Sequence, residues 1–270
     1  GSEGKIDIGQ SFETTYEMFQ GKDPRFLASI YVPGSSLLGS TMQFQRGLIL
    51  KDGSKYYAQS APGPSYLLET YIDPETQRKD TIFGKDGGTY TGDASKTGFN
   101  IRKFVNENLK TEAQWDFGKT ETSFPIFRLA EVYLNLAEAA VEMGKYQTEA
   151  FEAIKKIRDR AGVVTPFAVV DVEKVRHERQ VELAFEGHRF WDMKRWRVAH
   201  LPVDQGGLNG FRGAGLHPFF DLRIRKYVFE VANDLPKRQR VFTEKNYYTK
   251  FSGNDMNSNP SLIQNPEFLN

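Results

Sequence analysis

Glutamates recur at residues 178, 182 and 186 within HERQVELAFEGHRFWDMKRW, and that four-residue spacing restricts the possible folds more than any other feature of the chain. On a helix the three carboxylates share one face, where like charges repel by about a few tenths of a kcal/mol if exposed and by more if buried. A fold that holds this helix must therefore bring cations to it. Arg179, Arg189 and Arg195 stand nearby, and Arg189, Asp192 and Arg195 follow at steps of three, so a continuous helix alternates the signs along one side. Glu178, Arg179, Glu182, Glu186, Arg189, Asp192 and Arg195 are accordingly read as a structural ion network. In it guanidinium groups clamp carboxylates, while Phe185, Phe190, Trp191 and Trp196 bury apolar area. The competing reading is a glycosidase pair, which needs two carboxyl groups about 5 to 10 Å apart and open to substrate. Functional charges usually sit on loops around a scaffold rather than along one helix face, which favours the network and leaves no residue assigned as catalytic.

The surrounding sequence is helical in its periodicity. In IFRLAEVYLNLAEAAVEM the apolar residues Ile126, Leu129, Ala130, Tyr133, Leu136, Ala137 and Ala140 recur at three- and four-residue steps, opposite Arg128, Glu131, Asn135, Glu138 and Glu142. Gly144 supplies a helix C-terminus, and a second amphipathic segment follows with Ala150, Phe151, Ile154, Ile157 and Ala161. The pair resembles one tetratricopeptide hairpin, with no second copy at a period of about 34 residues. Asp171 caps a third helix from Val172, which Gly187 interrupts or bends.

Before residue 126 the texture differs. Turn-forming runs such as YVPGSS, SAPGPSY and FGKDGGTYTGD dominate residues 3–125, and Gly1-Ser2 reads as a vector scar. Arg25–Val32 and Gly98–Val105 have strand character and are predicted to pair as a minor β-hairpin. Residues 126–270 form the helical region, which returns to loops after Leu201.

Composition removes several classes of function. Lys and Arg total 36 against 35 Asp and Glu, a net charge of +1, so no long-range field gathers nucleic acid or anionic lipid. The absence of cysteine excludes disulfides, thiolate nucleophiles and Cys-ligated zinc. His177-Glu178 begins a helical zinc motif, but Val181 occupies the position of the second histidine, and no metal or other cofactor is expected. Lys96-Thr97 is preceded by Ser95 rather than the glycine of a phosphate loop, and no G-x-S-x-G elbow occurs.

FRLAEVYLNLAEA, IKKIRDRAG, HERQVELAFEGHRFWDMKRW and the terminal NPSLIQNPEFLN together resemble the C-terminal part of the SusD/RagB family, with weaker matches at Asp23–Phe26 and Thr97–Phe104. The resemblance implies a mainly α fold of tetratricopeptide-like helix pairs, a SusD-like α-α superhelix, with long irregular loops. It also implies a lipid-anchored, cell-surface protein of the outer membrane that sits on a SusC-like TonB-dependent transporter and binds glycans, or in a minority of members peptides, without cleaving them. The family's N-terminal portion, with its lipidated cysteine and first helix pairs, is not represented in the sequence.

A sugar ring offers apolar C–H faces to an aromatic plane while its hydroxyls need polar partners at the rim. Tyr56, Tyr57, Tyr66, Tyr71 and Tyr90, placed in loops beside Lys55, Gln59, Asp73 and Asp93, are the candidate ligand residues, with Trp115 as a sixth. Two rival functions stand beside an oligosaccharide or polysaccharide partner. One is a helical scaffold gripping a peptide or protein along the face of residues 128, 131, 135, 138 and 142, and the other is a glycoside hydrolase using loop acids.

Overall fold

The computed structural model describes residues 8–57, 70–87, 95–108, 122–232 and 239–268. The chain divides into two compact units, residues 1–186 with 214–235 and residues 187–213 with 236–270. The change of texture at residue 125 falls inside the first.

The first unit opens with strand β1 (Ser11–Phe12), helix α1 (Pro24–Ser29) and strand β2 (Ile30–Tyr31). Short strands follow: β3 (Ser36–Leu37), β4 (Ser40–Thr41), β5 (Gly47–Ile49), β6 (Lys55–Tyr57), β7 (Thr70–Ile72), β8 (Lys79–Thr81) and β9 (Asn100–Ile101). Helices α2 (Leu129–Glu142), α3 (Gln147–Arg160) and α4 (Val172–Glu182) come next, and the hairpin β10 (Gly215–Asp221) and β11 (Lys226–Ala232) completes the unit. The second unit holds α5 (His188–Arg195), α6 (Gly253–Ser258) and short 3-10 turns around a core of Met193, Ala199 and Phe242.

The paired helices occur where their periodicity places them. Leu134, Ala137 and Ala140 of α2 close on Ala150, Ala153, Ile154 and Ile157 of α3, and Val170, Val175 and Leu183 extend the same core along α4. The small side chains let the helices approach closely. Gly144 ends α2 with φ +63°, which a side chain at that position would resist. The apolar stripe is rotated from the predicted one: Leu129 and Leu136 are exposed, whereas Leu134 and Glu138 are buried. The reason is α4, which packs on the side that carries Glu131, Asn135 and Glu138. Arg179 of α4 donates to Asn135 Oδ1 at 2.8 Å and lies 3.7 Å from Glu131. Of the face proposed for a peptide, Glu138 is thereby buried and Glu131 half-buried, while Asn135 and Glu142 stay exposed.

The expectation of a mainly α fold needs correction. Among the described residues one helix pair plus α4 is present, and helix of all kinds covers only about a third of them. A five-stranded sheet of order β1-β11-β10-β5-β6 stands beside it, built on the seven-residue β10–β11 ladder, with β10 running parallel to β5. The stretch read as loop after Leu201 thus supplies the longest strands. β10 is buried nearly throughout, so it shows no polar alternation, and Pro218 within it argues against a central strand. Pro218 is tolerated because its carbonyl is what pairs, accepting from Arg46 N at 2.9 Å.

Arg25–Val32 is likewise not a continuous strand. Asp23 caps a helix, its side chain accepting from Arg25 N at 2.9 Å with Pro24 at the first helical position, and this local signal outweighs the β-branched content that follows. Only Ile30–Tyr31 is strand, and it pairs antiparallel with Asn100–Ile101, the predicted partner segment.

Candidate binding site: a charge cluster and a neutral cavity

The three glutamates of the opening motif lie on or just after α4 and are nearly fully buried, at 2, 3 and 5% exposure for Glu178, Glu182 and Glu186. Arg25 donates through Nη1 to Glu178 at 2.5 Å and to Glu182 at 3.1 Å, and through Nη2 to Asp23 at 2.7 Å. Arg158 holds the other oxygen of Glu178 at 2.7 Å. Arg128 bridges Glu182 at 2.6 Å and Glu186 at 2.6 and 2.8 Å, and Arg160 reaches both oxygens of Glu182 at 2.8 and 2.9 Å. Lys103 also binds Glu186 and donates to the carbonyl of Ala184 at 2.8 Å, while Arg128 donates to the carbonyl of Glu182 at 2.7 Å. The last two bonds satisfy backbone acceptors where α4 ends, at the pole that favours positive charge.

The partners are not those expected from the motif. Of the nearby arginines, Arg179 turns to α2, and the chain leaves the helix before the rest of the pattern. Phe185 and Gly187 both take positive φ, at +66° and +81°, which breaks the face that would have aligned Arg189, Asp192 and Arg195 with the glutamates. In the second unit Arg195 Nε bonds Asp192 at 2.9 Å, and Arg189 and Arg195 both lie over Trp196, at 5.8 and 4.8 Å from the ring centroid. Phe190 and Trp191, expected to bury area, are 46 and 64% exposed.

A cavity of about 340 Å³ opens beside the cluster, between Ser29, Phe104, Pro125 and the side chains of Arg25, Lys103, Arg128 and Arg160. Its charged walls already hold one another, so neither Glu182 nor Glu186 faces it as a free general acid. Burial pushes the Glu186 carboxyl upward, but Arg128 and Lys103 more than offset this and leave it below the ordinary carboxylate value. For Asp23, too, the bonds from Arg25 outweigh burial and the net shift is downward. A general acid needs the opposite shift. A carboxyl lowered on folding stabilises the fold above its unfolded pKa, and that stabilisation is lost as pH falls through the folded value. Unfolding free energy measured by urea titration is therefore expected to hold steady above about pH 5 and to decline below about pH 4.

The tyrosines selected from the sequence are distributed differently. Tyr56 on β6 and Tyr71 on β7 sit on strands rather than loops, their rings 5.4 Å apart and half-buried over Leu48, Ile82, Phe83 and Leu222. Tyr57 faces outward, edge-on to Phe219 at 5.8 Å, with Lys55 over the other aromatic ring and bonded to Glu230. Tyr66, Tyr90 and Trp115 lie outside the described residues. Asp73 is held near pKa 2, first by the Thr76 amide and further by Lys51, so its carboxylate closes its own turn.

A second cavity, of about 270 Å³, belongs to residues that sequence reasoning passed over. Its hydroxyls come from Thr15, Thr41, Thr81 and Tyr227 and its amides from Gln43 and Gln45, while Gly84 and the buried Met42 and Phe44 complete the lining. Residues 43–45 and 84–86 are laced together: Gly84 N donates to Gln45 O at 2.8 Å, Asp86 N to Gln43 O at 3.0 Å, and Gln43 N to Asp86 Oδ2 at 2.7 Å. A Cβ on Gly84 would stand 2.1 Å from the carbonyl oxygen of Gln43, so only glycine permits this approach. Gln45 donates through Nε2 to the carbonyls of Thr81 and Ile82 at 2.7 and 3.0 Å, which fixes the side chain and leaves its Oε1 as acceptor. The Tyr227 ring packs on Phe220 at 5.0 Å, and burial raises its phenol pKa, which keeps the hydroxyl protonated as a donor. The alternation Met42-Gln43-Phe44-Gln45 was the available signal, since glutamines two apart in an extended segment share a side.

The SusD family model matches residues 3–268, and the chain belongs to the SusD family. It is 31% identical over 101 residues to SusD-like protein P2 of Formosa agariphila, an alignment covering 33% of this chain and 20% of that protein. A SusD-like protein of Bacteroides fragilis has a solved structure that superposes with a TM-score of 0.58 at 26% identity, covering 98% of this chain and 43% of the other. A SusD-like carbohydrate binding protein of the same species gives a TM-score of 0.47 at 27% identity, over 74% of this chain and 32% of that one. The chain thus spans a fifth of the curated relative and under half of the solved structure.

Proposed function

We propose that the protein captures a glycan without cleaving it and delivers it to a SusC-like TonB-dependent transporter at the outer-membrane surface. The observation that carries this reading is the cavity at Gln43, Gln45 and Tyr227, which gathers uncharged donors and acceptors beside apolar surface in a rigid frame. That mixture matches a sugar, whose ring faces are apolar and whose edges are hydroxyls. Tyr57, whose ring faces outward, and Tyr66, Tyr90 and Trp115, which lie outside the described residues, are proposed as further ligand contacts. Tyr56 and Tyr71, half-buried over Leu48 and Leu222, remain in the proposed ligand set. Family membership supports the reading, and the pairing of Glu178, Glu182 and Glu186 with Arg25, Lys103, Arg128, Arg158 and Arg160 speaks against hydrolysis at the cluster. No described helix is long and apolar enough to cross a membrane, and the proposed attachment is a lipid anchor.

Affinity electrophoresis through a panel of polysaccharides, with product analysis of the same incubations, tests the proposal. Retardation by at least one polysaccharide without release of oligosaccharides is expected, and Tyr227→Phe is expected to weaken it by about tenfold, the worth of one buried hydrogen bond. Release of reducing ends, or indifference to the whole panel, would sink it.

A further inference from the structure

We infer that this cavity accepts neutral sugar rings and rejects uronic or sulfated ones; the inference rests on the glycan reading above and narrows its substrate class. Among the described residues lining the cavity there is no Lys, Arg, His, Asp or Glu, and the one titratable side chain, Tyr227, stays a neutral donor. A carboxylate or sulfate entering it would shed its hydration without meeting an opposite charge, a cost that hydroxyl and amide donors offset only in part.

Asp86 accepts from the Gln43 backbone N–H at 2.7 Å, which places a negative group beside that lining residue, while Lys85 is exposed and donates to the Ser40 hydroxyl. Cations suited to an anion do exist in the same unit, at Arg25, Arg128 and Arg160, but they are gathered around Glu178 and Glu182. The cavity and the charge cluster therefore divide the chemistry: fixed charges neutralise one another inside the helical frame, and uncharged groups line the cavity. At about 270 Å³ the volume is just under the usual range of small-molecule sites, so discrimination acts on a short part of a glycan chain.

The test uses a panel of neutral polysaccharides together with acidic ones before and after chemical reduction of their carboxyl groups, with affinity measured at low and high salt. The expected result is retention of neutral ligands that is insensitive to salt and lost at least about tenfold in Tyr227→Phe and Thr41→Val, which change hydroxyls and leave the fold intact. Gln43→Lys, at an exposed position, is expected to gain retention of acidic ligands in a salt-sensitive manner. Wild-type retention of an acidic polysaccharide that disappears on carboxyl reduction or in high salt would overturn the inference while leaving glycan capture standing. Retention of neutral ligands unchanged in both hydroxyl variants would place recognition elsewhere and overturn it as well. Failure to retain any polysaccharide removes both readings together.

Discussion

Arg25→Ala is expected to lower the free energy of unfolding by about 3 to 5 kcal/mol, because it strands buried carboxylates rather than merely deleting a contact. Among the described residues Arg25 is the one cation that touches Asp23, Glu178 and Glu182 at once, at 2.5 to 3.1 Å. Its removal leaves Glu178 with Arg158 alone and takes from Glu182 one of its three guanidinium partners. Urea denaturation of Lys155→Ala, which breaks an exposed i,i+4 pair with Asp159, is the control and should shift by only about 0.3 to 0.5 kcal/mol. A double-mutant cycle with Glu178→Gln should recover part of the loss, since the stranded charge is then gone. If Arg25→Ala and Lys155→Ala cost the same, the cluster is not what ties α1 to α4.

Gly84→Ala is expected to be nearly as damaging, and it couples stability to binding. The added methyl would sit 2.1 Å from the Gln43 carbonyl oxygen and 2.7 Å from its Cβ, so backbone rather than a flexible side-chain tip must move. Overpacking of this kind costs about 1 to 3 kcal/mol and at times more. Its relief separates residues 43–45 from 84–86, breaking the bonds that seat Gln45 against Thr81 and Ile82. Thermal denaturation and polysaccharide retention should therefore fall together, whereas Tyr227→Phe should reduce retention with little change in melting temperature. Normal retention by a destabilised Gly84→Ala would separate the cavity from the ligand.

How much of this was legible beforehand depended on the range of the interaction. The helix pair, the Asp171 cap, the interruption at Gly187 and the pairing of Ile30–Tyr31 with Asn100–Ile101 are local patterns or pairs of strand-like segments, and a linear reading reaches them. The glutamate spacing showed that cations were required, but their source was misplaced onto the same helix. Arg25 lies 153 residues from Glu178, and Arg128 lies 58 from Glu186. The central strand β10 escaped because burial on both faces erases alternation and Pro218 mimics a loop. Selecting tyrosines by loop context misplaced Tyr56, Tyr57 and Tyr71, which are all strand residues, the first and last over a core and Tyr57 facing outward.

The sequence alone determined that a helical hairpin forms, that the residues after Asp171 form a helix, that three carboxylates on and just beyond it need neutralisation, and that the chain carries almost no net charge. Those properties follow from periodicity, capping and composition, each confined to a few turns of chain or independent of fold. Only the tertiary structure decided which cations answer those carboxylates and where uncharged groups from residues 15, 41–45, 81–84 and 227 meet. Such convergence depends on strand order and on backbone approach at Gly84, and neither leaves a periodic mark in the chain.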